Sequence, residues 1–184
     1  MVRAVSVREA RLEETEHGLV CKSDGWFVVN ARDVRWHRTG GARITNLAGD
    51  TRFEQLGIGI EVLGAGEPMA CYHREWDQEG FLVVRGSGTL VVEGEERPLQ
   101  HWDYFHCPPG VAHVIVGGPI VVVALGARQD DRTEYVADPV AAKYGAAPAS
   151  TTADPREAYE GWERPTHTRY GGWLEEDATD TPVP

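Results

Sequence analysis

Three side chains of the types that bind metal ions in proteins occur close together in this chain of 184 residues: His73, Glu75 and Glu79. In an extended strand alternate side chains share a face, so His73 and Glu75, roughly 6.5 Å apart at their Cα atoms, could reach one ion. A short loop over residues 76–78 would bring Glu79 opposite Glu75 on the next strand of a hairpin, on the same face. The spacing therefore predicts that these three side chains converge on a single cation.

A second segment supplies a fourth potential ligand. It begins with Trp102-Asp103, continues as a short strand to Cys107, and passes through Pro108-Pro109-Gly110 to His113. Because proline cannot donate a backbone hydrogen bond to a sheet and glycine tolerates turn conformations, the sequence predicts a sharp corner at this point. His113 is then expected at the beginning of the following strand.

The two segments resemble the paired motifs of the cupin superfamily, which have the forms G-x5-H-x-H-x3,4-E-x6-G and G-x5-P-x-G-x2-H-x3-N. The matching residues are His73, Glu79 and Gly86 in the first motif and Pro108, Gly110 and His113 in the second. The departures are Glu75 in place of a second histidine, Trp102 in place of the opening glycine, Gly117 in place of the closing asparagine, and Gly66, which stands one position too early. The resemblance covers about residues 61–127.

The resemblance implies that His73, Glu79 and His113 bind a metal ion, with Glu75 at the position of the usual fourth ligand. Two histidines and one carboxylate suit iron(II) with open coordination positions. A second carboxylate would neutralise a divalent transition metal, which favours Fe, Mn, Ni or Zn over copper(I). Glu75 could be that ligand or a catalytic general base beside the metal. The alternative is a metal-free polar core, in which two buried carboxylates would be costly.

Other reactive side chains have ordinary structural interpretations. Cys71 and Cys107 could point into the same cavity as the candidate ligands or serve as small buried packing residues. Five histidines lack a partner at ligand spacing and are assigned no role: His17, His37, His101, His106 and His167.

The elements that must position the candidate ligands are short apolar runs, separated at close spacing by glycine and proline, between residues 25 and 127. Because no sustained helical period separates them, they predict antiparallel strands and an all-β fold. The predicted strands are Trp26 to Asn30, Ala42 to Asn46, Gln55 to Leu63, Met69 to Glu75, Phe81 to Arg85, Thr89 to Glu93, Tyr104 to Cys107, Ala112 to Val116 and Ile120 to Ala124. Turns are predicted at Gly86-Ser87-Gly88 and at Glu93-Gly94-Glu95. The cupin resemblance specifies a jelly-roll barrel, also called a double-stranded β-helix.

Three regions are expected along the chain: an N-terminal strand extension over 1–24, the barrel over 25–127, and a C-terminal arm with short helical segments over 128–184. Phe81 to Val84 and Ile120 to Val123 are apolar on both alternating faces, so we expect a second sheet or another subunit to cover one outer face. The aromatic residues Trp162, Tyr170 and Trp173 could dock the arm, make it a lid over a pocket, or strap it to a partner. Proteins similar in size and motif are commonly homodimers, and a homodimer is expected.

Composition excludes several partners. Eighteen Lys and Arg against 29 Asp and Glu give a net charge of -11, which repels nucleic acids and acidic membrane surfaces. The most apolar segment, residues 114–127, contains Gly117, Gly118 and Pro119 and is shorter than the roughly 20 residues that span a bilayer. The charged first residues and the three cysteines without a C-x-x-C pair lead us to expect a cytoplasmic protein with free thiols.

Two functions remain open at this point. The first is a metal-dependent enzyme that acts on a small polar metabolite inside the barrel, with isomerase, lyase or decarboxylase, or dioxygenase chemistry implied by the cupin resemblance. The second is a cupin that binds a small molecule or a metal without turnover. The same barrel hosts unrelated activities, so the residues of the site must decide between them.

Overall fold

The fold is almost entirely β-structure. The computed structural model describes residues 7–40 and 42–172. The strands are β1 (Leu12–Thr15), β2 (Gly18–Cys21), β3 (Trp36–Thr39), β4 (Ala42–Asn46), β5 (Leu56–Leu63), β6 (His73–Glu75), β7 (Glu79–Val92), β8 (Glu95–Gln100), β9 (Tyr104–Cys107), β10 (His113–Ala127), β11 (Thr133–Tyr135) and β12 (Thr166–Thr168). Two helices of about one turn are α1 (Pro139–Ala142) and α2 (Pro155–Ala158). The predicted all-β class is confirmed.

Ten strands form one antiparallel sheet, and the long strands β7 and β10 lie at its centre. Strand β10 pairs with β5, β6 and β7, and β7 also pairs with β8 and β9. Beyond β5 the sheet continues through β4, β3 and β12, and beyond β6 it continues to β11. Strands β1 and β2 form a separate hairpin. Among the described residues, no helix has the length and apolar character needed to cross a membrane.

Each long strand takes the place of two predicted short ones. Strand β7 includes Phe81 to Arg85 and all but the last residue of Thr89 to Glu93. Strand β10 includes all but the first residue of Ala112 to Val116, together with Ile120 to Ala124. The register of β10 against β7 shifts at residues 117–120, between its two predicted parts. The pairs of short strands are therefore continuous strands with an irregularity.

The turn predicted at Gly86-Ser87-Gly88 is wrong, because these residues stay within β7. A side chain on Gly88 would collide with the carbonyl oxygen of Val116. Glycine here permits a close approach of two strands and does not reverse the chain.

Two further predicted strands differ from the structure. Trp26 to Asn30 is not a strand; Trp26 alone forms a bridge, with Glu9, and Val28 is 85% exposed. Met69 to Glu75 is shortened to β6, because the backbone before it bonds elsewhere: Met69 N–H donates to Ile115, and Tyr72 N–H donates to Ala146.

The predicted turn at Glu93-Gly94 is confirmed. Val92 pairs directly with Glu95, so the loop between β7 and β8 has two residues. Their φ angles are 49° for Glu93 and 74° for Gly94, the positive values that a tight hairpin turn of this length favours.

The interior of the sheet holds the main hydrophobic core. Alternate residues of β7 and β10 point inward, including Phe81 and Val83 of β7 and Ile115 and Val122 of β10. The buried members of this cluster are Ala42, Leu63, Phe81, Val83, Leu90, Leu99, Cys107, Ile115, Ile120 and Val122. Because side chains alternate along a strand, these inward residues determine which face each remaining residue of β7 and β10 occupies. They therefore also set the direction of the candidate ligands Glu79 and His113.

The chain itself covers the outer faces of the long strands. Around α1, Ala141 and Ala146 pack with Tyr72, Val91 and Val114 in a second buried cluster. Strand β3 and the residues before it cover another face, where Trp36 and Val34 pack on Val62 and Val121. The second of these is the outer face of residues 81–84 and 120–123, since Val84 and Val121 belong to that cluster, so the expected cover comes from a segment of the same chain.

The C-terminal arm is docked on the sheet. Asp138 and Asp154 cap α1 and α2 through their carboxylates, and Pro139 and Pro155 follow at the first helical position, as the Asp-Pro pattern favours. Strand β11 extends the sheet next to β6, and β12 extends it next to β3. Trp173 lies outside the described residues. The division of the chain into three regions stays a prediction.

Candidate metal centre

Two neighbouring strands hold His73 and His113 side by side. His113 is the first residue of β10 and pairs directly with His73, the first residue of β6. Directly opposite residues of an antiparallel pair project from the same face, and the two ring centres are 5.1 Å apart. His113 is fully buried and His73 is 8% exposed. The sheet therefore points both imidazoles into the interior.

Glu79 reaches the same place from a third strand. It is the first residue of β7, where it pairs with Gly126 of β10 and with Cys107 of β9. Its Oε2 atom lies 3.5 Å from His113 Nε2. Ligand atoms of His73, Glu79 and His113 all lie within 4.8 Å of one another, a spacing at which one ion could contact all three.

The strand pairing that places Glu79 beside the two histidines differs from the prediction. The expected hairpin between Glu75 and Glu79 does not form, because β6 pairs with β10 and β11, while β7 pairs with β10, β8 and β9. Strand β10 carries His113 at one end and Gly126 near the other, so it joins β6 to β7 through its whole length. The predicted side chains therefore come together, but through a different strand pairing.

Two buried atoms of this cluster lack hydrogen-bond partners among the described residues: Glu79 Oε2 and His113 Nε2. A buried polar atom without a partner costs on the order of 1–3 kcal/mol. A cation between these atoms would satisfy both, so the residues present fit a divalent metal ion.

Backbone carbonyls orient the two imidazoles. Nδ1 of His73 lies 2.7 Å from the Cys71 carbonyl oxygen, and Nδ1 of His113 lies 3.2 Å from that of Val111. An imidazole that donates its Nδ1–H to a carbonyl presents an unprotonated Nε2 to the opposite side. Both rings are thereby arranged to use Nε2 as a metal ligand.

The electrostatics of the cluster favour neutral imidazoles. Burial, followed by the neighbouring His73, lowers the pKa of His113 to about 4. Burial is also the main cause that lowers the pKa of His73. Burial, followed by Glu75 and Asp77, raises the pKa of Glu79 to about 8. Neutral histidine is the form that binds metal, and a cation would favour the ionised form of Glu79.

Glu75 lies at the rim of this cluster. It shares the inward face of β6 with His73, and its Oε1 atom is 3.8 Å from His73 Nε2. Its side chain is 33% exposed, compared with 14% for Glu79. Glu75 is thus close enough to act on the same ion or on a molecule beside it, and both roles stay open.

Glu61 is a site residue that the sequence analysis missed. It lies on β5, where it lines the same cavity as Glu75 and Glu79. Its Oε2 atom is buried without a partner among the described residues. Burial, followed by Glu79, raises the pKa of Glu61 to about 8. The alternation of side chains along the strand could have indicated this position. Glu61 is two residues from Leu63, an interior residue of the same strand, and therefore points to the same face.

Glu75 and Glu79 line a cavity of about 620 Å³, and His73 and His113 lie behind them, outside its lining residues. Its walls come mainly from β4, β5, the end of β10 and the loop that follows. Its charged lining residues are Arg52, Glu61, Glu75, Asp77, Glu79, Arg128, Asp130 and Asp131. The site is therefore a polar and mostly acidic chamber with access for a small molecule.

The two interior cysteines are buried thiols with raised pKa values. Burial raises the pKa of Cys71 to about 11 and is the main cause that raises the pKa of Cys107 to about 12. Sγ of Cys107 lies 3.4 Å from His113 Nδ1, so this thiol packs behind a candidate ligand. Neither cysteine is suited to act as a nucleophile.

Three of the histidines without an assigned role contact one another. His167 of β12 packs against His37 of β3, with ring centres 4.8 Å apart, and against His17, at 5.8 Å. Burial, followed by His167, lowers the pKa of His37. These rings link β12 to β3 and to the β1–β2 turn, and the absence of a functional role stays a prediction.

Comparison with known proteins adds information about fold. No protein-family model and no curated protein sequence matches the chain. Solved structures that match include KdgF from Halomonas sp., with 22% identity and a TM-score of 0.44 over 50% of this chain and 84% of that one. An RmlC-like cupin from Shewanella frigidimarina has 22% identity and a TM-score of 0.43 over 50% and 81% of the two chains. A cupin 2 conserved barrel domain protein from Salinispora arenicola has 17% identity and a TM-score of 0.43 over 57% and 83%.

Two of these three neighbours are named as cupins. These likenesses concern the all-β fold, which the strands of the chain itself show. At these identities and TM-scores the likeness says nothing about what this chain does. Its activity has to be argued from its own cavity.

Proposed function

We propose that this cupin-type chain is a divalent-metal-dependent enzyme that acts on a small polar metabolite in the chamber beside Glu79. The observation that carries the proposal is the convergence of His73, Glu79 and His113, with two unpartnered buried atoms among the described residues, at the edge of a cavity. When bound, a divalent ion would polarise an oxygen of the substrate as a Lewis acid. Fe, Mn, Ni and Zn are the metals that suit this ligand set.

The residues of the chain supply the rest of the chemistry. His73, Glu79 and His113 would hold the ion, and the carbonyls of Cys71 and Val111 keep the imidazoles turned towards it. Glu75, at the cavity rim, would accept a proton from the substrate as a general base. A carboxylate in that position favours isomerase, lyase or decarboxylase chemistry, which move protons, over dioxygenation.

A second candidate is a binding protein without turnover. It is favoured by the 3.8 Å approach of Glu75 to His73 Nε2, because a fourth protein ligand would close the coordination shell. Such a chain would retain a metal or a metabolite without converting it.

Metal content tests the proposal directly. Wild-type protein, purified without a metal-chelating column, is expected to contain about one divalent transition-metal ion per chain by elemental analysis. The His73→Ala, His113→Ala double variant should lose it, while the control His106→Ala, on the exposed part of β9, should keep it. Folded wild-type protein that contains no metal and binds none on addition would refute the enzyme as proposed.

We also propose a cytoplasmic location and a homodimer. All three cysteines, Cys21, Cys71 and Cys107, are buried and free, which suits a reducing compartment. A titration of thiols in denaturant without reductant should find three per chain, and light scattering after size exclusion should give twice the chain mass. A disulfide would contradict the cytoplasmic location, and a monomeric mass would contradict the homodimer.

A further inference from the structure

One cation in the acidic chamber has no partner among the described residues. Of the two arginines in the chamber walls, Arg52 is exposed and pairs with Asp131 at 2.6 Å. Arg128 lines the same cavity, and no ion pair or side-chain hydrogen bond joins its guanidinium to any residue that the structure describes. A guanidinium carries five N–H donors in a planar fork that matches a carboxylate or phosphate, and Arg128 is one of the residues that line the cavity.

The backbone on both sides of Arg128 is held in place. Ala127 N–H donates to the Gln78 carbonyl at 2.9 Å, and Arg128 N–H donates to that of Gln55 at 3.2 Å. The next two backbone amides, at residues 129 and 130, both donate to Oδ2 of Asp77, at 2.8 and 2.9 Å. Asp77 is only 5% exposed. These bonds position the arginine before any ligand arrives.

The guanidinium of Arg128 lies against the backbone of Gly57. A Cβ atom on Gly57 would lie 2.8 Å from Nε and 2.9 Å from Nη2 of Arg128. The backbone of Gly57 lies in β5 and does not have the positive φ that would itself require glycine. The bare Cα is therefore needed because the arginine side chain lies directly over it.

Two glycines without side chains, Gly57 and Gly126, lie side by side between the Arg128 guanidinium and the candidate metal ligands. Gly57 pairs with Gly126 across β5 and β10, and Gly126 pairs with Glu79 across β10 and β7. Directly opposite residues share a face, and two strand spacings amount to roughly 10 Å. A Cβ on Gly126 would lie 3.9 Å from Cγ of Glu79, so the Glu79 side chain lies directly beside the second glycine. The two glycines leave room for a molecule a few bonds long between Glu79 and Arg128.

We propose that Arg128 binds the anionic group of the substrate, and that the substrate is a small organic acid or phosphate ester with an oxygen directed at the His73–Glu79–His113 cluster. The contact of the substrate oxygen with the His73–Glu79–His113 cluster rests on the proposed function, whereas the contact of the anionic group with Arg128 does not. Gly57 and Asp77 are positioning residues for Arg128. The surrounding carboxylates repel anions elsewhere in the chamber, so the anionic end is directed to this one guanidinium.

Three probes with a common three-carbon frame test the proposal: glycerate, glycerol 3-phosphate and glycerol. Binding is measured by calorimetry on metal-loaded protein, and the two anions distinguish a carboxylate from a phosphate site. At least one anion is expected to bind, and Arg128→Met should weaken it by about 10-fold to 100-fold, the size expected for a lost charge-assisted pair. Arg128→Lys should be intermediate, and Gly57→Ala should also weaken binding because it displaces the guanidinium. The matched control Arg52→Met, on the other arginine of the chamber, should bind as wild type does.

The outcomes separate this inference from the metal proposal. If neither anion binds better than glycerol, or if Arg128→Met with wild-type thermal stability binds as well as wild type, the anion site is refuted whatever the metal content. If the His73→Ala, His113→Ala variant lacks metal but keeps an Arg128-dependent affinity for one anion, the anion site is supported. A metal-free wild type that still shows Arg128-dependent binding refutes the metal proposal alone.

Discussion

His113 shows how a single residue combines structure and chemistry. It is fully buried, its Nδ1 is occupied by the Val111 carbonyl, and its Nε2 faces Glu79 without a hydrogen-bond partner among the described residues. A histidine with only a packing role would lose stability by leaving that nitrogen unpaired. The arrangement is therefore more readily understood as a ligand position than as part of a polar core.

Glu75→Gln separates the two roles of Glu75 at the residue scale. We expect the variant to retain its metal, because His73, Glu79 and His113 are more buried and remain unchanged, and to lose proton-transfer activity by about 10²-fold or more. Metal content by elemental analysis is the first readout, and Glu79→Gln, which should lose metal, is the matched control. Loss of metal from Glu75→Gln would make Glu75 a ligand instead.

Glu61→Gln gives a pH prediction. Burial, followed by Glu79, raises the pKa of Glu61 from 4.5 to about 8. A raised pKa means that the stability contributed by this group is present below the unfolded value of 4.5 and is lost as the pH rises towards 8. Because glutamine does not titrate, the metal-free variant should gain stability relative to metal-free wild type over this range. Thermal unfolding with a chelator measures it, with exposed Glu54→Gln as the control; a gap that closes with rising pH would contradict the prediction.

At the scale of elements, the close approach of β10 to the end of β5 depends on glycine. A Cβ on Gly117 would collide with the Gly64 carbonyl and would lie 2.8 Å from Leu63 Cβ. Gly117→Ala is expected to destabilise the protein by about 2–3 kcal/mol, since backbone and core must shift together. Gly126→Ala is the control in the same strand, because its nearest neighbour would be at an ordinary 3.9 Å. Urea unfolding should separate the two variants, and equal midpoints would show that β10 approaches the end of β5 less closely than described.

Element prediction succeeded where local chemistry decides the outcome. The Glu93-Gly94 turn and the face shared by His73 and Glu75 both follow from neighbouring residues. The Gly86-Ser87-Gly88 segment was misread because glycine serves both turns and close strand contacts, and only the partner strand distinguishes them. The sequence analysis missed Glu61 because its strand meets that of Glu79 only through the long-range pairing of β5 with β10 and of β10 with β7.

For the whole molecule, the chain supplies its own outer cover. Ala141 of α1 is fully buried against the cluster that contains Tyr72 and Val91, while its neighbour Ala142 is exposed. Ala141→Asp should therefore destabilise the protein by about 3 kcal/mol or more, because it buries an unpaired carboxylate. Ala142→Asp is the adjacent control and should change stability by less than about 0.5 kcal/mol. Limited proteolysis together with urea unfolding checks both; an unaffected Ala141→Asp would show that the arm is not docked in solution.

The homodimer stays a prediction at this scale. The outer face of residues 81–84 and 120–123, which suggested it, packs against β3 and the segment before it, so that face no longer requires a second subunit. A dimer would have to form through another surface, and its mass in solution is the observation that decides.

Anomalous diffraction at the absorption edge of the metal found in the purified protein tests the central claim most directly. We predict one strong anomalous peak within bonding distance of His73 Nε2, His113 Nε2 and a carboxylate oxygen of Glu79, and no peak there in His113→Ala crystals. Metal-containing crystals with no peak between these three side chains, or with the ion bound at another place, would contradict it.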